Sequence, residues 1–378
     1  MPTSAPNLRS SATNRTPLYD RHVALGGRLV DFGGWDLPQQ YTSIRDEHLA
    51  VRKAAGLFDV SHMGRFRVTG TASFDFLQGV ITNDLGRISR GRAQYNLLCN
   101  EQGGILDDLI VYWGDGGFFV VVNASNRDKD LAWMQDRAPA GVKVEDRTFE
   151  LALLAIQGPR AEALTPSSGL ADLPYFGFRP AQVAGVTAMI SRTGYTGEDG
   201  FEIFVAADRV GQVWDAILEN GRSEGVLPAG LGARDATRLE AALRLYGNDM
   251  DETVNPYEAG LGWAVKLDKG DFIGHRALAE IREVGPRRTL IGIKTKAGDI
   301  PRHGAAVSGE GGRQGVVTSG THSFFLTHPI ALAMVEVPSF RVGDKVAVEV
   351  RGREADAEVV KLPFYRGSAR SAAAPAKS

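Results

Sequence analysis

Three apolar runs separated by tight glycine turns restrict this chain more than any other feature. Residues 94–99 and 105–113 flank Glu101-Gln-Gly-Gly104, and Asp115-Gly-Gly117 leads on to residues 118–123. Runs of this length, bounded by glycine and acid, read as β-strands. Before them, residues 64–70 alternate Phe66 and Val68 with polar side chains, as in a half-buried strand. Residues 72–79 and 127–137 carry helical spacing. Residues 57–146 therefore read as one compact α+β unit. Glycine makes up 45 of 378 residues, about 12% against an ordinary value near 7%. The fold must use many tight turns or close backbone approaches.

The flanking sequence has a different rhythm. Residues 43–55 show helical spacing closed by Gly56, and 151–156 is an unbroken apolar run, as in a strand buried on both faces. Strands at 186–192 and 200–205 and helices at 160–164, 210–220 and 230–244 complete a second α+β domain. It is discontinuous, built from 17–56 and 147–275 around the inserted unit. From residue 287 onward, five strand-like runs (289–293, 315–319, 330–337, 345–350 and 355–360) alternate with polar turns, so 285–366 reads as a small β barrel or sandwich. Residues 1–16 and 367–378 read as flexible tails. The first lacks the apolar core of a secretory signal, and a disordered tail is preferred there to a transit peptide.

Several functions are disfavoured at once. A net charge of −2 lacks the basic excess of a general nucleic-acid binder. No apolar run reaches the length of a membrane span. The lone cysteine, Cys99, permits neither an internal disulfide nor a cysteine-built metal site. Phosphate-loop and His-Glu-x-x-His words are missing, and the seven histidines lack ligand spacing. His62 reads as a hydrogen-bonded structural residue. Ala229-Gly-Leu-Gly-Ala-Arg-Asp235 resembles a dinucleotide loop only until a third glycine is required, and no strand is expected immediately before it.

Four places could carry chemistry. Asp107 and Asp108 are adjacent carboxylates on a strand, where they point to opposite faces. One can look into a cavity while the other faces solvent or caps the Gly-Gly turn. Glu202 sits between Phe201 and Ile203, either outward in water or inward with a partner carrying adjacent N–H donors. Arg234, near the positive end of a helix, calls for a carboxylate such as Glu202 or a bound anion. Arg238 and Glu240 read as surface pairs on that helix. Asn255-Pro-Tyr-Glu-Ala-Gly-Leu-Gly-Trp-Ala-Val-Lys266 reads mainly as packing.

Taken together, these blocks resemble the aminomethyltransferase, or T-protein, family of the glycine cleavage system. The matching words are Phe32-Gly-Gly-Trp35, Phe58-Asp-Val-Ser-His-Met-Gly64, Gly103-Gly-Ile-Leu-Asp-Asp-Leu-Ile-Val111 and Arg192-Thr-Gly-Tyr-Thr-Gly-Glu-Asp-Gly-Phe-Glu202. Gly230-Leu-Gly-Ala-Arg-Asp-Ala-Thr-Arg-Leu-Glu240, Leu245-Tyr-Gly-Asn-Asp249 and Val317-Thr-Ser-Gly320 follow in family order. The resemblance implies an α+β fold, a three-domain cloverleaf around a folate channel, with a C-terminal Greek-key β barrel. It implies transfer of an aminomethyl carbon from the lipoyl arm of H-protein to tetrahydrofolate, with neither metal nor flavin.

The resemblance also distributes roles. Glu202 would accept the amino group and ring N–H of the pterin, with Arg234 beside it. Tyr95, Tyr195, Met63 and Trp263 would line the channel, Asn123 would make a polar contact, and Arg366 would meet the glutamyl tail. The catalytic carboxylate falls in the Asp107–Asp108 pair: Asp108 is assigned, with Asp107 as the alternative. The expected setting is a cytoplasmic monomer (mitochondrial matrix in a eukaryote) whose partner is lipoylated H-protein, not nucleic acid or membrane. A non-catalytic folate-binding module of the same fold is the other reading. The related dehydrogenases carry a large flavin domain ahead of the match, and the iron–sulfur assembly relatives carry a cysteine loop where this chain reads Arg192-Thr-Gly-Tyr195.

Overall fold

In the computed structural model, which describes residues 13–369 apart from 310, 311, 313 and 339, the glycine-bounded runs pair as antiparallel neighbours. Arg92–Cys99, Ile105–Gly114 and Gly117–Val122 lie side by side, and Gly64–Thr69 and Lys143–Asp146 complete a five-stranded sheet. Helices Ser73–Val80 and Arg127–Arg137 pack on it around Phe66, Leu77, Val111, Val120 and Met134. The excess of glycine has a local cause here. A Cβ on Gly104 would lie 1.9 Å from the Glu252 carbonyl oxygen, so the turn closes only against a bare backbone.

A six-stranded sheet runs Phe178–Val183, Val186–Ser191, Gly200–Ala206, Leu151–Gln157, Ala55–Asp59 and Val226–Pro228 in spatial order. The unbroken apolar run at 151–156 is explained by what covers it. Ala152, Leu154 and Ile156 face helix Val210–Gly221 and its Trp214, whereas Leu153 and Ala155 face Tyr112 and Val121 of the five-stranded sheet. The two sheets therefore meet face to face. Ala55–Asp59 pairs with Leu151–Gln157 and Val226–Pro228, so the expected boundary at 57 falls inside a strand, and the chain leaves this sheet only after Asp59. Val226–Pro228 also supplies the strand not expected before the Gly230 loop, although the third dinucleotide glycine is still missing.

The C-terminal strands close into a barrel in the order Arg288–Thr295, His328–Glu336, Gln314–Ser323, Ala306–Gly309, Lys345–Val350, Arg353–Val360. The fourth barrel strand returns beside the first, the Greek-key pattern. Ala306–Gly309 was too short and polar to be expected. Ordered structure reaches into both supposed tails. Asn14–Arg15 pairs in parallel with Trp35–Gln40, and Ser368 donates to Glu198 Oε2 from N at 2.9 Å and from Oγ at 2.6 Å. Residues 1–12 and 370–378 lie outside the described residues.

Helix Leu231–Glu240 ends four residues before the expected limit at 244, and Ala242 has φ 53°. Carbonyls just past the helix end have partners: Ala242 O takes the Arg244 guanidinium, and Arg244 O takes the Tyr195 hydroxyl. Arg238 and Glu240 are not surface residues, because this helix is wedged between helix Ile44–Lys53 and the barrel. Arg238 donates to Asp249 Oδ2 at 2.6 Å and to barrel Ser319 Oγ at 2.8 Å. Glu240 accepts from Arg52 Nε at 2.7 Å. Among the described residues no helix is long and apolar enough to cross a membrane.

Candidate active site

Asp107 and Asp108 leave strand Ile105–Gly114 on opposite faces, yet one side chain reaches both. The Asn123 amide donates from Nδ2 to Asp107 Oδ1 at 2.8 Å and to Asp108 Oδ1 at 2.7 Å. Asp107 neither faces solvent nor caps the turn, contrary to expectation. It is 0% exposed, and it accepts further from Asn123 N at 3.1 Å and Asn126 Nδ2 at 2.7 Å. The reason is topological: this face lies under the segment that links Gly117–Val122 to helix Arg127–Arg137. Asp108 is only partly buried and accepts from Tyr95 Oη at 3.1 Å. Burial, and then the charge of Asp107, push the Asp108 carboxyl up to about 7, although Asn123 and Tyr95 pull the other way.

The same strand face continues through Ile110 to Tyr112, two residues per step. The Tyr112 hydroxyl donates to Glu202 Oε2 at 3.2 Å, and Thr193 Oγ1 donates to the same oxygen. Glu202 is therefore turned inward with partners. Its Oε1 accepts nothing from a described residue. Beside it, the Arg234 guanidinium lies 4.6 Å above the Tyr195 ring and makes no ion pair or side-chain hydrogen bond with any described residue. Glu202 and Arg234 form no ion pair, although the two are electrostatically coupled. Burial holds the Arg234 guanidinium below its usual value.

Aromatic side chains join the two ends. Tyr95 stacks on Trp263 at 5.4 Å between centroids and 30° between planes, with Trp263 57% exposed. Burial raises the Tyr195 and Tyr95 hydroxyls, and the Asp108 charge adds to both. Met63 packs, partly buried, against the cluster holding Tyr112 and Ala233. Arg366 is not drawn into this frame by any contact. It is exposed on the segment after the barrel, between Tyr365, whose N–H donates to Glu240 O at 2.8 Å, and Gly367, packed on the Gly197 carbonyl. His62 is buried, edge-on to Phe32, and its Nδ1 has no partner, so the expected hydrogen bond is missing there. Burial, and then Arg234, lower its imidazole to about 3.

Sequence reasoning missed Tyr112 and Thr193, which aim Glu202, and Asn126, which holds Asp107. The signal for Tyr112 was present, since it lies four residues from Asp108 on one strand face. A Cβ on Gly194 would meet Gln157 Oε1 at 1.8 Å, so this glycine lets the Thr193–Tyr195 turn press against the six-stranded sheet. No described group of His, Cys, Asp and Glu has the arrangement of a metal site. A surface cleft of about 440 Å³, lined by Gly79, Glu101, Phe272 and His275, shares no residue with this frame.

Comparison with known proteins gives one family over most of the chain. A family model described as the GCVT N-terminal domain matches residues 18–269, and one described as the glycine cleavage T-protein C-terminal barrel domain matches residues 288–366. The sequence is 49% identical to an aminomethyltransferase of Symbiobacterium thermophilum, over 96% of this chain and 100% of that one. It is 46% identical to an aminomethyltransferase of Bacillus subtilis, over 93% and 99%. The crystal structure of the glycine cleavage system aminomethyltransferase T from Bartonella henselae superposes with a TM-score of 0.87 at 35% identity, covering 95% of this chain and 99% of that one.

Proposed function

The chain belongs to the glycine cleavage T-protein family and is an enzyme, an aminomethyltransferase; from that premise we propose that the frame from Glu202 to Asp108 is its folate site. The substrate pair is tetrahydrofolate and H-protein carrying an aminomethyl group on its lipoyl arm. The products are 5,10-methylenetetrahydrofolate, ammonia and the dihydrolipoyl arm. The chain works as a monomer in the cytoplasm.

One observation carries this reading. Among the described residues, a carboxylate with an oxygen that accepts no hydrogen bond and a half-buried guanidinium with no ion pair lie at one end of a strand face, and a carboxyl near neutrality lies at the other. Asp108 and Tyr112 are four residues apart, about 13 Å along the strand at roughly 3.3 Å per residue. The ends therefore act on different atoms of one ligand. Glu202 accepts the pterin amino and ring N–H together, and Tyr112 and Thr193 hold it inward for that task. Tyr95, Tyr195, Met63 and Trp263 offer flat or soft surfaces to the rings. Arg366 is assigned to the glutamyl tail, where a guanidinium suits a carboxylate.

Bound folate supplies the nitrogen that receives the carbon. Asp108 orients that nitrogen and takes its proton, and a carboxyl near 7 can both accept a proton and give it up at neutral pH. Asn123 and Tyr95 hold it in place. The test is turnover of aminomethyl-loaded H-protein with tetrahydrofolate, read as methylene-folate formed. Folate binding without turnover would leave only a binding module. Glu202→Ala should weaken folate binding by about 1–3 kcal/mol, the value of charge-assisted hydrogen bonds, and unchanged affinity by calorimetry removes Glu202 from the pterin.

A further inference from the structure

A third carboxyl stands behind the Asp107–Asp108 pair, and the function above gives it no task. Asp130 lies in the first turn of helix Arg127–Arg137 and is 1% exposed. No N–H or O–H group donates to it among the described residues, and its Oδ2 is buried without a partner. The adjacent cation is turned elsewhere. Lys129 Nζ donates to the Leu106 carbonyl at 2.6 Å and to Tyr246 Oη at 3.3 Å, and lies 3.6 Å from Glu252. The group that the Asp130 carboxyl does meet is the carboxyl of Asp107.

Two carboxylates in contact cannot both be ionised. The surroundings decide which one keeps the proton. Asp107 is ringed by three N–H donors, two from Asn123 and one from Asn126, all of which favour its charged form. Asp130 has none. The groups facing it are Asp107 and Asp108 from the strand, Lys129 from its own helix, and Tyr246 beyond helix Leu231–Glu240. The helix N-terminus favours a charged acid, but that attraction is small beside the cost of burying an unsolvated carboxylate.

We propose that Asp130 is kept as a neutral carboxylic acid whose O–H donates to Asp107, so that Asp107 holds the charge and Asp108 is the carboxyl that exchanges a proton with substrate. Asp130 is then a positioning residue, acting through Asp107 and the Asn123 amide that Asp107 shares with Asp108. Burial, and then Asp107, raise its carboxyl to about 10, in keeping with that state. The inference rests on Asp108 as the proton-transfer group.

Carbon-13 labelling of the aspartate carboxyls, with the Asp130 signal assigned by its loss in Asp130→Asn, reads the proton directly in the free full-length protein. The signal should stay at the protonated position up to pH 8, and a midpoint below 5 overturns the proposal. Asp130→Asn, a neutral donor of the same shape, should leave the pH midpoint of kcat unshifted. If Asp130 were charged, removing that charge would lower the midpoint by a unit or more. Asp130→Ala should lower kcat about tenfold more than Asp130→Asn does, with folate affinity retained, since only the amide still supports Asp107. Equal kcat in the two variants also overturns the proposal. The carboxyl signal needs no turnover, so a protonated Asp130 in a protein that transfers nothing would sink the transfer reading alone.

Discussion

Glu198 and Glu240 are buried as deeply as Asp107, but they meet a cation and it does not. Arg52 donates to Glu240 Oε2 at 2.7 Å, to Glu198 Oε1 at 2.9 Å and to two backbone carbonyls, while its guanidinium lies 4.5 Å over the Tyr365 ring. Burial alone would raise Glu240, yet His48, Arg52 and Ser323 outweigh it and hold the carboxyl below its usual value. At Asp107, Asp108 and Asp130 no described residue makes an ion pair: the hydrogen-bond partners are amides and a phenol, and Lys129, though near Asp130, is turned to Glu252. There the unbalanced cost of desolvation appears as a carboxyl near 7. A buried carboxylate given a cation becomes a clamp, here joining helix Ile44–Lys53, helix Leu231–Glu240 and barrel Ser323. One denied a cation is pushed toward neutrality.

Removing the carboxyl proposed to exchange the proton is the harshest way to test this contrast. Asp108→Asn should lower transfer by about 10²–10⁴-fold, as for loss of a positioned acid–base group, with folate still bound in calorimetry. Near-normal turnover there, with Asp107→Asn dead, would reverse the assignment of the pair. On the other side, Arg52→Met leaves Glu198 and Glu240 buried without their cation. It should cost about 3–5 kcal/mol in urea unfolding, and a loss under about 1 kcal/mol would deny the clamp.

The finest test is thermal. A carboxyl near 7 when folded and near 3.9 when unfolded opposes folding increasingly as pH rises between those values. Asp108→Asn should therefore melt higher than the parent at pH 8 and alike at pH 4, the reverse of a clamp residue. Superimposable difference curves across that range would mean that Asp108 is not held near neutrality. The same ionisation should appear as a kcat that rises with pH through about 7.

The glycine-bounded runs were legible as strands because tight turns and apolar periodicity are local properties, and residues 94–123 paired as read. Helix Arg127–Arg137 and strand Lys345–Val350 have the limits read from the sequence. Ala306–Gly309 was not legible, since a four-residue strand with two apolar members exists only through its neighbours in a closed barrel. Arg238 and Glu240 were misread for the converse reason. Charges at helical spacing look solvated unless one knows what lies across from them.

The chemistry divides in the same way. Sequence alone singled out Asp107, Asp108, Glu202 and Arg234 as candidates, since they sit in words whose glycines and acids a simple turn does not need, but it did not point to Tyr112, Thr193 or Asn126. Only the tertiary structure decided what each does. It wrapped Asp107 in N–H donors, left Asp108 partly open beside Tyr95, set Arg234 over the Tyr195 ring with no ion pair to a described residue and placed Asp130 against Asp107. Protonation is a property of surroundings: it depends on the dielectric, the donors and the charges within a few ångströms, and these come from segments far apart in the chain.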